Sequence, residues 1–164
     1  MIKNKWRFWT LFLIAGMIIM GLVFSGNERF VRNQPVIMNG IAAPPLPTLV
    51  PEQVTLGQTV YAQSCAVCHG ANLEGKPNWQ VPLADGAFPA PPHDSTGHTW
   101  HHADELLLDI IANGGDISNN SQMPAFNDQL TEGQMSAVLD FMKSKWGQNE
   151  REFQWWMTTV GDQQ

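Results

Sequence analysis

The chain has only two cysteines and one tyrosine in 164 residues. Two cysteines cannot build a disulfide-rich scaffold, and alone they fall short of the four ligands of a structural zinc site. Charge is sparse as well. Asp, Glu, Lys and Arg make up 15% of the chain, against 43% hydrophobic residues, which excludes a disordered acidic polymer. Basic residues are the scarcer sign, 9 against 15 acidic. Lys3, Lys5 and Arg7 give the first 24 residues +3, so the net charge of −6 leaves −9 on the remainder. That balance excludes nucleic acid as a partner, because such binding rests on basic patches. It suits a head that docks to basic partners, or a solvated acidic surface. No strand pattern and no internal repeat are evident.

One long run carries no charge: "FWTLFLIAGMIIMGLVF", Phe8 to Phe24. As a helix it spans about 25 Å, close to a hydrocarbon core of about 30 Å. Trp6 and Trp9 stand where interfacial anchors stand, and the basic residues before them mark a cytoplasmic end. Residues 1–25 therefore read as an N-terminal transmembrane anchor, with a signal peptide cut after Ser25 as the alternative. In either case the remainder lies outside the cytoplasm. No cysteine stands at the end of the run, so a lipid-bearing cysteine there is excluded.

Residues 26–51 hold Pro35, Pro44, Pro45, Pro47 and Pro51 and show neither helical nor alternating periodicity. They read as a tether, partly polyproline II, or as a segment laid along a partner subunit. Residues 52–147 read as one domain with three helices. The first is expected over 55–64, with Thr55 and Gln58 as a capping box. The second is expected over 103–115, with Asp104 and Glu105 at its start and Gly114 at its end. The third is expected over 131–146, with Thr131 and Gln134 as a second capping box and an apolar stripe through Met135, Val138, Leu139, Met142 and Trp146. Three short helices and long irregular segments bury too little by themselves, so something else must fill the core. The aromatic tail, 148–164, is too apolar to be idle. It packs on the domain's own surface or on a partner, where tryptophan is favoured.

Both cysteines fall in "SCAVCHG", Ser64 to Gly70. A zinc site would need His98, His101 or His102 to complete it. A redox dithiol expects a βαβ setting, and no strands are seen. Covalent haem attachment requires two cysteines two residues apart and a histidine directly after, which Cys65, Cys68 and His69 supply. Each thiol adds across a vinyl group, and the histidine falls beneath the iron as axial ligand. Export and the missing core agree with this reading. For the opposite face of the iron, Met135 and Met142 belong to the apolar stripe and Met157 to the tail. Met123, in "QMPAF", sits in an irregular segment held extended by Pro124. It is the preferred sixth ligand, with His98, His101 and His102 as rivals and an open position as a further alternative.

A helix, "CAVCH", long loops, "MPAF" and a final amphipathic helix together resemble the class I monohaem cytochromes c over residues 52–147. That resemblance implies an all-α fold, three or more short helices and long loops wrapped around one covalently bound haem c. It implies that Gly57 meets Phe141 where the first and last helices cross. It assigns a proline carbonyl in "VPLADG", that of Pro82, to the axial histidine, with Pro77 as the weaker choice. It also implies that Trp100 or a nearby histidine bonds a haem propionate. "PPHDSTGHTWHHADELL" further resembles membrane-bound bacterial members, among them the monohaem subunit of alternative complex III, a quinol-oxidising assembly. Such subunits are usually anchored by lipid, and a transmembrane helix would do the same here. His93, His98, His101 and His102 add a cluster in which His98 and His102 are spaced for a shared ion.

The expectation is a one-electron carrier, not an enzyme in itself, with no small-molecule substrate. Its partners would be other redox proteins or subunits of a respiratory or photosynthetic membrane complex. Alternatives are a stand-alone tethered cytochrome, or a haem sensor or catalyst with an open sixth position.

Overall fold

The computed structural model describes residues 33–116 and 120–161. The apolar run Phe8–Phe24, and with it the expected membrane anchor, lies outside the described residues. Among the described residues, no helix is long and apolar enough to cross a membrane.

The order is a β-hairpin, β1 (Pro35–Met38) and β2 (Ile41–Pro45), then α1 (Pro51–Ser64) and the single turn α2 (Ala66–His69). A 3-10 turn (Thr99–His101), α3 (Asp104–Asn113), α4 (Glu132–Lys143) and α5 (Gln148–Thr159) follow.

α1 starts earlier than its sequence pattern implies. Pro51 occupies the first turn, where its fixed φ suits a helix and its missing N–H is no loss. Thr55 does not cap; its hydroxyl bonds back to the Pro51 carbonyl at 2.9 Å. The second capping box does form at α4, with Thr131 and Gln134 each bonding the other's backbone amide. α3 ends at Gly114, whose φ of 88° suits glycine.

The main core lies where α1 meets α4, with α3 alongside. Tyr61, Leu73, Val138, Leu139 and Phe141 are buried in it. Each such apolar side chain stabilises by about 1.5–3 kcal/mol when fully buried. A Cβ at Gly57 would run into the Ala137 carbonyl and the Phe141 Cβ, so glycine permits the close crossing. Tyr61 and Phe141 sit one turn further on, ring centroids 5.3 Å apart.

Two segments depart from the sequence reading. The proline-rich stretch is not wholly an irregular tether, because residues 35–45 pair as an antiparallel hairpin. Its turn is Asn39-Gly40, φ 51° and 78°, the pairing of positive dihedrals that a tight hairpin demands. The tail forms α5 and packs on the chain itself. Trp156 shares a second small core with Val36 and Ala43. Trp155 and Trp156 donate their indole N–H groups to Pro44 and Ile41 carbonyls, at 2.8 and 3.1 Å.

Candidate haem site

α2 is one helical turn. The amides of Cys68 and His69 both bond the Cys65 carbonyl, at 3.1 and 3.0 Å. Its end is fixed by Gly70, φ 82°, whose carbonyl accepts the Tyr61 hydroxyl at 2.9 Å. Burial raises the Tyr61 pKa, so this hydroxyl stays a donor. Cys65 is partly buried against the main core and Cys68 is exposed, and no disulfide joins them. Burial, then the neighbouring Cys68, pushes the Cys65 thiol up to about 11. A redox dithiol relies on a lowered thiol pKa, so this environment argues against that chemistry.

His69 is 7% exposed. Its Nδ1 lies 2.9 Å from the Pro91 carbonyl. A carbonyl can only accept, so Nδ1 carries the hydrogen and Nε2 keeps its lone pair in the neutral ring. Burial lowers the pKa of this imidazole, which favours that neutral form. A neutral ring with a bare Nε2 is what a metal requires of histidine.

The carbonyl partner is a correction. It belongs to Pro91; Pro82 and Pro77 both lie exposed. Two backbone bonds explain the choice. His93 N donates to Leu73 O at 2.8 Å and Lys76 N to Ala90 O at 2.9 Å. They zip residues 90–93 against the turn just after α2, while the intervening residues loop outward. Gly75, φ 66°, allows the contact, since a Cβ there would strike Pro91 and Pro92 backbone.

Met123 is half-buried against the main core. Its carbonyl accepts from Gly115 N at 3.1 Å and its N–H meets Ser121 Oγ at 3.3 Å. Phe126 N bonds the Ile111 and Ala112 carbonyls, so this loop is pinned to the end of α3. Met135 and Met142 are buried core residues of α4.

Trp100 is the middle residue of the 3-10 turn Thr99–His101. Its indole Nε1 is buried with no hydrogen-bond partner among the described residues. Its ring stacks on His101 at 3.8 Å and meets Phe153 of α5 edge-on at 5.7 Å. His98 stacks on Trp79 at 5.0 Å and meets His102 edge-on at 5.4 Å. Among the described residues, no set of three histidine, cysteine or carboxylate groups is placed to share a metal ion.

A family model described as cytochrome c matches residues 54–146, more than half of the chain. The chain belongs to the cytochrome c family. Its cofactor is haem c, covalently bound, and Cys65 and Cys68 have the spacing that attachment requires. It is a haem-based electron-transfer protein. Cytochrome c domains are typically extracytoplasmic.

The residues present fit that group. Two thiols share one turn, a neutral imidazole offers Nε2, and the buried Trp100 N–H lacks the acceptor that a propionate would provide. The hairpin and α5 fall outside the matched segment. Sequence reading did not find the hairpin, although Asn39-Gly40 was a usable signal for it.

Proposed function

We propose that this cytochrome is a membrane-tethered one-electron carrier in which Cys65 and Cys68 bind the haem, His69 and Met123 ligate its iron, and Trp100 bonds a propionate. Haem c supplies an iron that exchanges one electron between its ferrous and ferric forms. The observation that carries the reading is the Nδ1 bond from His69 to Pro91, which fixes the tautomer and leaves Nε2 for metal. The held loop and the following Pro124 support Met123 as the second ligand. A thioether there favours the reduced iron and raises the potential relative to a second histidine.

The apolar run Phe8–Phe24, with Lys3, Lys5 and Arg7 before it, supports a single N-terminal span with the haem domain on the extracytoplasmic side. Tethering keeps the domain at high effective concentration near membrane redox partners. The partners proposed are subunits of a respiratory or photosynthetic complex, such as a quinol-oxidising assembly.

Two experiments test this. The reduced protein should resist carbon monoxide, and Met123→Ala should bind it fully. Rapid binding by the unaltered protein would instead favour an open sixth position. Purification of the full chain in mild detergent should bring down other membrane redox subunits. A chain recovered alone from membranes would refute the complex.

A further inference from the structure

The ring of His93 lies face to face with that of His69. Their centroids are 4.1 Å apart and the planes differ by 28°. His93 is held from three sides. Its N–H donates to Leu73 O at 2.8 Å, and its carbonyl accepts from Trp146 Nε1 at 2.8 Å. Its Nδ1 lies 2.8 Å from Thr99 Oγ1. The Thr99 hydroxyl also lies 3.4 Å from the Pro92 carbonyl, and it pairs with His93 Nδ1 as donor or acceptor according to the ring's tautomer. A Cβ at Gly97 would strike the Pro92 carbonyl, which keeps this short loop closed on itself.

We infer that His93 is a positioning residue for the axial histidine, its locked ring setting the plane of His69 through the face-to-face stack. The inference rests on His69 being an iron ligand. The bond from His69 Nδ1 to Pro91 fixes one atom of the ring but leaves libration about that bond. A flat, immobile neighbour on one face removes this freedom. Packing alone does not call for histidine. An apolar side chain would fill the space but could not have its angle fixed by a bond to Thr99. Residues 91–93 and Thr99 therefore place both rings: the Pro91 carbonyl holds His69, and Thr99 holds the His93 ring. An axial imidazole's plane governs how unpaired spin spreads over a low-spin ferric haem, and outer partners of a ligand tune its metal.

The test is proton NMR of the full, haem-loaded ferric protein, in which the order of the four haem methyl shifts reports the ligand plane. The variants are His93→Leu, His93→Phe and Thr99→Val, with thermal midpoints recorded beside the spectra. His93→Leu should reorder the methyl shifts and move the midpoint potential. His93→Phe and Thr99→Val each keep a flat ring against His69 and lose the Nδ1–Thr99 bond, so both should shift the methyl resonances alike, and less than His93→Leu. A lowered thermal midpoint in His93→Leu with unchanged methyl order would overturn the inference and make the residue merely structural. So would equal disturbance by Leu and Phe. If His93→Leu does not retain haem, the other two decide: both must shift the methyl resonances to a similar extent, and a wild-type spectrum in either overturns the inference. A wild-type spectrum without histidine ligation would refute the ligand assignment itself, and with it this proposal.

Discussion

Gly57 of α1 lies directly against the backbone of Ala137 in α4, with no room for a Cβ between them. The two helices that enclose the core cross at this point. Gly57→Ala should gain up to about 1 kcal/mol of helix propensity. Overpacking against backbone, which cannot swing aside, should cost about 3 kcal/mol. The net expectation is destabilisation by about 2 kcal/mol. Urea titration of the haem-loaded protein measures it, and an unchanged midpoint would mean that the helices do not touch here.

Gln154 of α5 is 2% exposed, and its amide reaches the His102 carbonyl at 3.2 Å and the Asp104 carboxylate. Beside it, Thr158 Oγ1 accepts the Asp104 N–H at 3.1 Å, which supplies the cap that Ala103 cannot give α3. Asp104 also pairs with Lys143 of α4 at 2.7 Å. Gln154→Ala should therefore destabilise by about 2–3 kcal/mol through unpaired buried groups. Thr158→Val should cost about 1 kcal/mol, the usual value of a lost cap. Equal stability of both variants with the parent would show α5 to be a passive appendage.

Trp100→Phe keeps the contacts with His101 and Phe153 and removes only the indole N–H. An orphaned buried donor is a burden of about 1–3 kcal/mol, so removing a truly unpaired one stabilises. In the haem-loaded protein the opposite sign is expected: a loss of about 1 kcal/mol or more, because a propionate accepts that N–H. Denaturation of the loaded protein gives the sign. A stabilised variant would rule out the propionate contact.

Acid should weaken the fold through His98 and His102. Burial, then neighbouring histidines, lowers both pKa values below the ordinary histidine range. The unfolded chain thus takes up protons first. Their contribution is complete above the unfolded histidine pKa, near 6.5, and fades as pH falls towards the lowered folded values. Asp140 acts in the other direction, since burial raises its pKa and protonation relieves it, at lower pH. Replacing both histidines by glutamine should flatten the stability profile between neutral pH and about pH 5. A profile that keeps its slope would assign it to other groups.

The sequence by itself determined the chemistry of this protein. "CAVCH", read with the export segment and the missing core, names its cofactor through thiol and imidazole spacing, because attachment is local and needs one turn. The stripe on α4, its capping box and the Gly114 terminus were legible for the same reason. Asn39-Gly40 held the hairpin signal in view, but prolines on both sides hid it, because proline usually marks irregular chain. Pro51 likewise outranked Thr55 as the start of α1. Only the tertiary structure decided which carbonyl faces His69. Pro77, Pro82 and Pro91 all lie in the same long loop, and spacing cannot rank them. Backbone bonds from His93 to the Leu73 carbonyl and from Lys76 to the Ala90 carbonyl choose Pro91, and with it bring His93 onto the ligand's face. The packing of the tail on its own chain was decided the same way. Trp155 and Trp156 needed acceptors for their N–H groups, and the carbonyls that meet them belong to residues more than a hundred positions earlier in the chain.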